Sequence, residues 1–270
     1  MSIRSQETQP TPLTSAAHML RELWRLPGMT VARFTLMSYI RSGWILGDVV
    51  FVWLLYAIFF LEFGGNVAYF YGTANQGLGV LAILGTVVMV QRAMSARVYL
   101  PLSRITSRSA YIRGLIIATA VLRIPLFLLL MVLAMLHHNF SPPACTIGDC
   151  IQGATFSNML PGAIGLLANC TAISTLIVIF SAPIATRRVR ILLLLWFAAV
   201  LYSNTSLGPV AAVLSVVRIP LIPLTICYSL GTTQSIDWSG MGALAIMVVY
   251  IVGLTLLGEY WLKRRDLILQ

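Results

Sequence analysis

Long apolar runs separated by short basic clusters constrain this chain more than any other feature of its sequence. Several runs approach or exceed the ~18 to 20 residues that an α-helix needs to cross the hydrocarbon core of a bilayer. With 59% hydrophobic residues, 10% charged residues and a mean hydropathy of +0.89, the 270-residue chain is too apolar for an ordinary soluble domain. Because backbone polar groups must be paired inside a bilayer, the sequence predicts an all-α, polytopic membrane protein.

The N-terminal region is predicted to stay on one side of the membrane. Residues 1–16 are polar and match no cleavable signal peptide, so we expect a disordered cytoplasmic tail, followed by a single transmembrane domain over residues 17–270. From about residue 18 to residue 43, apolar side chains alternate with arginines. This pattern predicts one or two interfacial helices, with the apolar side chains toward acyl chains and the arginines toward headgroups.

The remaining apolar runs predict six membrane spans, at about residues 44–61, 78–96, 114–136, 159–184, 191–204 and 241–262. The region between residues 191 and 230 could hold two spans, or one span and a re-entrant segment. The number of membrane crossings between the flanking basic clusters decides between these two topologies. Basic clusters follow residues 184 and 262, and the positive-inside rule places both in the cytoplasm, so an even number of crossings separates them. We therefore predict that residues 208–230, which contain three prolines, form a re-entrant segment before the last span.

The distribution of basic residues is consistent with this topology. Sixteen of the eighteen Lys and Arg residues fall in segments predicted to be cytoplasmic, and the two exceptions are Arg123 and Arg218. The sequence therefore predicts a multi-pass protein of the cell membrane with both termini in the cytoplasm. In a soluble protein a net charge of +10 would suggest a nucleic-acid partner, but here membrane topology accounts for the charge.

Residues 91–113, here called the arginine-rich loop, carry five arginines and no acid between the second and third predicted spans. Pro101 is placed like a first-turn proline, which predicts a short helix over residues 101–113. Arg104 and Arg108 lie four residues apart on one face of this helix, where like charges repel unless an anionic surface faces them. That surface is either lipid headgroups or a soluble partner protein, and the residues alone leave both interpretations open.

Arg123 lies about ten residues into a predicted span, where a guanidinium is costly unless it faces a partner or a water-filled path. Pro125 frees a backbone carbonyl nearby that could accept a hydrogen bond from it. Asp48, Glu62 and Glu259 are the candidate carboxylate partners, and their spacing does not choose among them. The candidates for a translocation path or an intramembrane ion pair are Asp48, Arg123, Asn169 and Arg218.

Enzymatic constellations are missing from the sequence. It has no GxxxxGK[ST] phosphate-binding loop, so we predict that this chain is not an enzyme and binds no cofactor or ATP of its own. His137, His138 and Asp149 fall short of a metal-ligand pattern, so no metal site is predicted. Cys145 and Cys150 would close a small disulfide if their loop faces an oxidising compartment, and both redox states remain open.

Several features together resemble the membrane subunit of ATP-binding-cassette transporters of the type-2 export class. These are the interfacial helix, six spans, the arginine-rich loop after the second span, the proline-broken outer segment and the ending LGEYWLKRRDLILQ. The resemblance covers roughly residues 20–270. It implies an exporter whose membrane part is a homodimer or heterodimer of such subunits and whose ATP hydrolysis takes place on separate nucleotide-binding ATPase subunits.

The resemblance also implies roles for particular segments. Residues 101–113 would be the coupling helix seated on the ATPase, residues 30–42 the connecting helix and residues 208–230 the outer gate. The predicted docking residues for the ATPase are Arg97, Arg104, Arg108 and Arg113. The position of Arg123 inside a span and the long loop at residues 137–158 depart from the family pattern, which leaves the substrate open.

The alternative is an ion- or solute-coupled secondary transporter or channel without an ATPase partner. Such proteins place several acidic or polar residues at mid-span, whereas here Arg123 and Asn169 are nearly alone in the sequence. No inverted repeat relates the two halves of the chain. The sequence therefore favours the exporter subunit over this alternative.

Overall fold

The computed structural model describes residues 27–61, 65–93, 108–137, 156–181, 191–192, 223–224 and 238–264. Within these ranges the secondary structure is helical and contains no β-strand, which confirms the predicted all-α class. The helices are α1 (Pro27–Arg41), α2 (Trp44–Phe59), α3 (Val67–Ala93), α4 (Arg108–His137), α5 (Phe156–Ile179) and α6 (Trp238–Arg264).

Four of these helices are long and apolar enough to cross a membrane. Their apolar segments are Val67–Ala93, Ser109–Ala134, Met159–Ile179 and Gly240–Leu262, and α1 with α2 adds a fifth if the two are taken as one broken span. This set fits a membrane-embedded helical protein. The predicted fifth span at residues 191–204 and the re-entrant segment at residues 208–230 lie outside the described residues, apart from two residues of each.

The second apolar helix begins earlier than the sequence predicted. Residues 67–77 were assigned to an outer loop because glycine, asparagine and threonine lower their hydropathy, but they form the first turns of α3. Phe70 and Tyr71 on these turns are buried, and the Phe70 ring packs against Phe60 with the ring centroids 5.1 Å apart. Burial of these aromatic side chains stabilises helical turns that hydropathy alone does not identify.

The helix after the arginine-rich loop also begins earlier than predicted. Residues 108–113, expected to end a separate short helix, are the first turns of α4, which runs without a break to His137. The preceding residues 94–107 lie outside the described ranges. The C-terminal part of the arginine-rich loop is therefore continuous with a long apolar helix.

A sharp bend separates α1 from α2. The segment predicted to be an interfacial helix forms α1, whose axis lies at 75° to that of α2. Gly43 at the bend has a φ of +79°, a left-handed conformation that glycine adopts without a Cβ clash. The hydroxyl of Ser42 donates a hydrogen bond of 2.6 Å to the Tyr39 carbonyl, which satisfies one of the free carbonyls at the end of α1.

The core of the bundle lies where α3, α4 and α5 pack together, with α2 against α3 and α4. Glycines let these helices approach closely, because a Cβ at Gly77 would clash with Leu55 and one at Gly162 would clash with the Tyr71 ring. Helix α6 packs against α4 and α5 but leaves most of its apolar surface uncovered, with 17% of its apolar window buried. Lipid would solvate such a surface.

Candidate functional site

Arg123 lies at the centre of the bundle and is 1% exposed. Its guanidinium points from α4 toward α3, where Gly85 makes room for it: a Cβ at position 85 would lie 2.7 Å from Nη2. Nη2 donates a long hydrogen bond of 3.4 Å to the Ala82 carbonyl, not to the carbonyl freed by Pro125. Nε and Nη1 have no hydrogen-bond partner in the described part of the chain, which makes this a costly buried cation.

Asp48, a candidate partner of Arg123, is one of the two buried acids among the described residues. Tyr39 on α1 donates a hydrogen bond of 2.8 Å to Oδ2 of Asp48 on α2, and both side chains are buried. Asp48 and Arg123 are both buried, but no direct hydrogen bond joins them in the described structure. The Asp48 carboxylate instead accepts its hydrogen bond from Tyr39.

The other two candidate partners of Arg123 are Glu62 and Glu259. Glu62 lies outside the described residues. Glu259 forms a bidentate ion pair with Arg113, with Nε 2.5 Å from Oε1 and Nη2 3.1 Å from Oε2. This pair joins the first turns of α4 to the last turns of α6, and the Arg113 side chain is still 57% exposed.

Asn169 on α5 is paired with an asparagine of α3. Its Nδ2 donates a hydrogen bond of 2.8 Å to Oδ1 of Asn75, and both residues are buried. Further along the same helix pair, the hydroxyl of Thr86 donates a hydrogen bond of 3.1 Å to that of Ser174. The two pairs bracket the point where Arg123 meets α3.

These groups form a buried polar line, defined here as the Asn75–Asn169 pair, Arg123 and the Thr86–Ser174 pair. Asn75 and Thr86 are separated along α3 by roughly 16 Å at 1.5 Å per residue. Polar groups at this density inside an apolar bundle are expensive and usually mark a ligand path or a packing determinant. The expectation that Arg123 and Asn169 are nearly alone at mid-span is therefore wrong for the folded bundle.

Sequence reasoning missed Tyr39, Asn75, Thr86 and Ser174 as members of this region. A signal for two of them was present, because Asn75, Gly79, Ala82 and Thr86 are spaced three or four residues apart and so share one face of α3. The stripe went unrecognised because the helix was predicted to begin at residue 78. No signal in the sequence linked Tyr39 to Asp48.

The remaining candidates can be placed only in part. Arg97, Arg104, Arg218, Cys145 and Cys150 lie outside the described residues, and the backbone of Arg108 starts α4 while its side chain is not described. Cys170 is a free, buried thiol, as its apolar surroundings in the sequence predict. No cluster of three metal-ligating side chains occurs within the described ranges.

The site as a whole can hold a positive charge at the centre of the bundle and offer amide and hydroxyl groups above and below it. The groups on either side of Arg123 are the Asn75–Asn169 amide pair and the Thr86–Ser174 hydroxyl pair. Comparison with protein-family models, curated proteins and solved structures finds no match to this chain.

Proposed function

We propose that this chain is the membrane subunit of an ATP-driven exporter of the type-2 ATP-binding-cassette class. It works in the cell membrane as a homodimer or heterodimer, with its termini in the cytoplasm. A separate ATPase subunit docks on the arginine-rich loop and hydrolyses ATP. The observation that carries the proposal is the packing of α1 against the first turns of α4, which include the last residues of that loop.

This contact is close enough to transmit a movement. A Cβ built at Gly114 would lie 2.6 Å from the Gly28 carbonyl oxygen and 2.5 Å from the Cβ of Val31, so the backbones of α1 and α4 meet without an intervening side chain. A displacement of the arginine-rich loop would move α4 and α1 together. The Tyr39–Asp48 hydrogen bond then links α1 to α2, which carries the displacement into the bundle.

The sequence supports a division of labour between chains. An exporter needs an energy source, and this chain has no phosphate-binding loop of its own. The five arginines and the lack of acids in residues 91–113 suit an acidic or polar surface on a partner protein. In this proposal ATP is bound entirely by that partner.

Charge reversal in the loop tests the docking role. We expect the double variant Arg104→Glu/Arg108→Glu to lower binding of the ATPase by about tenfold or more and to abolish ATP-dependent transport, because like charges would oppose docking. The measurement is co-purification with an affinity-tagged chain, identification of a bound polypeptide that contains GxxxxGK[ST], and reconstitution of the pair in liposomes.

The matched control for this variant is Lys263→Glu/Arg265→Glu, which changes the net charge equally at the other predicted cytoplasmic cluster. It should leave ATPase binding nearly unchanged. Unaltered binding in the Arg104/Arg108 variant, or an equal loss in the control, would contradict docking on the arginine-rich loop.

The buried polar line favours a second candidate, a secondary transporter or channel that works without an ATPase. Mid-span polar groups are typical of proteins that pass ions or solutes along a path in the bundle. The two candidates separate in a flux assay: liposomes that contain this chain alone would transport substrate down a gradient in the second case and would stay tight in the first.

The Asn75–Asn169 pair is expected to be coupled. Asn169→Leu leaves the Asn75 amide buried without its partner and should destabilise the protein by about 1 to 2 kcal/mol. The double variant Asn75→Leu/Asn169→Leu removes both polar groups at similar volume, so it should be destabilised by clearly less than the sum of the single variants. Thermal unfolding in detergent measures this cycle, and strictly additive effects would contradict a direct pair.

A further inference from the structure

An open groove of about 520 Å³ lies between α1 and the end of α3. Three arginines line it: Arg33 and Arg41 on α1, and Arg92 in the last turn of α3. Ser38 adds a hydroxyl, and Phe34 and Met37 add apolar side chains. The groove therefore combines positive charge, a hydrogen-bonding group and an apolar surface.

Helical spacing explains why these groups meet. Residues 33, 34, 37, 38 and 41 recur every three or four positions, so they share one face of α1. Arg92 comes from a different helix and closes the groove from the other side. Its position at the C-terminal end of α3 is favourable, because the free carbonyls of a helix end attract a cation.

The groove has no countercharge in the described part of the chain. Its lining contains no carboxylate. The described ranges contain two acids, Asp48 and Glu259, and these are hydrogen-bonded to Tyr39 and to Arg113. In addition, Nε of Arg92 is buried and has no hydrogen-bond partner within the described structure. Three guanidinium groups thus share a groove in which a negative ligand would meet unmatched positive charge.

We propose that this groove binds the phosphate headgroup of an anionic phospholipid. A guanidinium binds a phosphate through two parallel hydrogen bonds, which suits a headgroup held between Arg92 and the arginines of α1. The apolar side chains that line the groove favour a lipid over a free phosphate as the ligand. Phe34 and Met37 are 38% and 44% exposed, and an acyl chain would cover them where a soluble anion would not.

The proposed topology places the groove at the membrane surface, and lipid binding there does not require the ATPase. The concentration of arginine in α1 and residues 91–113 puts the groove at the membrane face predicted to be cytoplasmic, where headgroups lie. A bound headgroup would bridge α1 to the end of α3, where the arginine-rich loop begins. Lipid affinity is measured on the purified chain without an ATPase. A failure of lipid binding can therefore be distinguished from a failure of the exporter proposal.

The experiment uses the purified full chain in a neutral detergent. Dioleoylphosphatidylglycerol or dioleoylphosphatidylcholine is titrated in, and native mass spectrometry counts the bound lipid. We expect the wild type to bind phosphatidylglycerol in preference to phosphatidylcholine. The double variant Arg33→Gln/Arg92→Gln should lose affinity for phosphatidylglycerol by about fivefold per arginine, with phosphatidylcholine binding unchanged.

Two control arms make the result specific. Lys263→Gln/Arg265→Gln removes the same charge elsewhere and should keep the wild-type lipid affinity. Glycerol 3-phosphate, the soluble headgroup fragment, should compete poorly because it lacks the acyl chain. If the glutamine pair does not fold, Arg33→Lys/Arg92→Lys replaces it; this pair keeps the charge, loses bidentate geometry and should show a smaller loss of affinity.

Three outcomes would overturn the inference. Equal binding of the two lipids by the wild type would show that the groove does not select an anionic headgroup. Equal losses in the groove variant and the Lys263/Arg265 variant would assign the preference to net charge. Displacement of phosphatidylglycerol by glycerol 3-phosphate at matched concentration would make the ligand a free phosphate.

Discussion

Replacing Arg123 with glutamine is expected to destabilise the folded protein by about 2 kcal/mol. Two effects oppose each other in this variant. Removing the guanidinium relieves the cost of its unpaired Nε and Nη1 donors. It also removes the buried cation from a core in which Asp48 is a buried carboxylate, and breaking a directly bonded buried ion pair usually costs ~3 to 5 kcal/mol. The second effect is larger, and the lack of a direct hydrogen bond to Asp48 places the net loss below that range.

The double variant Arg123→Met/Asp48→Asn tests this argument. It removes both charges while leaving an amide for the Tyr39 hydroxyl, so its stability should return toward that of the wild type. Transport should nevertheless remain lost, because the positive centre of the buried polar line is gone. Arg123→Lys should also lose transport, since a lysine has neither the reach nor the planar set of donors of an arginine.

Arg113→Gln is the matched control, since it removes an arginine from the same helix. The Arg113 side chain is 57% exposed and that of Glu259 is 7% exposed. Solvent at Arg113 screens the ion pair, and the substituted amide can still donate a hydrogen bond to the buried carboxylate, so the loss should be about 1 kcal/mol. Reversible unfolding in mixed micelles compares the four variants with the wild type. An Arg123→Gln variant no less stable than Arg113→Gln would show that Asp48 does not depend on the guanidinium.

Gly114→Ala is expected to cost about 2 kcal/mol and to uncouple ATP hydrolysis from transport. Its Cβ would overlap the Gly28 carbonyl oxygen and Val31, so α1 would have to move away from α4. Backbone cannot rearrange as a flexible side chain can, and the strain is therefore not relieved locally. In the proposed exporter, a displaced α1 would no longer follow the arginine-rich loop, so ATP would be hydrolysed without export.

Gly253→Ala on α6 provides the control for this change. Nothing lies within 4 Å of a Cβ at position 253, and alanine is favoured over glycine in a helix by about 1 kcal/mol. This variant should be as stable as the wild type or slightly more so. The measurements are thermal unfolding and the ratio of ATP hydrolysed to substrate moved. A Gly114→Ala variant that behaves like Gly253→Ala in both would contradict the coupling role of the α1–α4 contact.

The sequence predicted the helices where local composition is decisive. Residues 114–136 and 241–262 were predicted as spans and lie within α4 and α6, because a continuous apolar run is a property of neighbouring residues. The start of α3 was predicted wrongly for the complementary reason. Phe70 and Tyr71 are buried by side chains distant in sequence, and hydropathy averaged over neighbours carries no information about such contacts.

The sequence identified Arg123, Asp48 and Asn169 as single candidates, but not the groups around them. Arg123 stood out because a charge within an apolar run is costly wherever the helix packs, but its surroundings were not predictable. The spacing of three acids did not choose among them as a partner for Arg123. In the fold, Asp48 accepts a hydrogen bond from Tyr39 and Glu259 pairs with Arg113. Asn75 and Thr86 are recognisable as part of the site only from the packing of α3 on α5, which pairs them with Asn169 and Ser174.

By itself, then, the sequence determined that this is a helical chain suited to a membrane. It also determined that a basic helix, α1, precedes the first apolar run, and that a later apolar run contains a costly arginine, Arg123. Those features follow from hydropathy and charge, which each residue carries with it. Only the tertiary structure decided that α1 packs on α4 at Gly114, that Arg92 joins Arg33 and Arg41 in one groove, and that the buried polar line exists. These are relations between helices, and they arise only when the helices pack and side chains far apart in sequence come within contact distance.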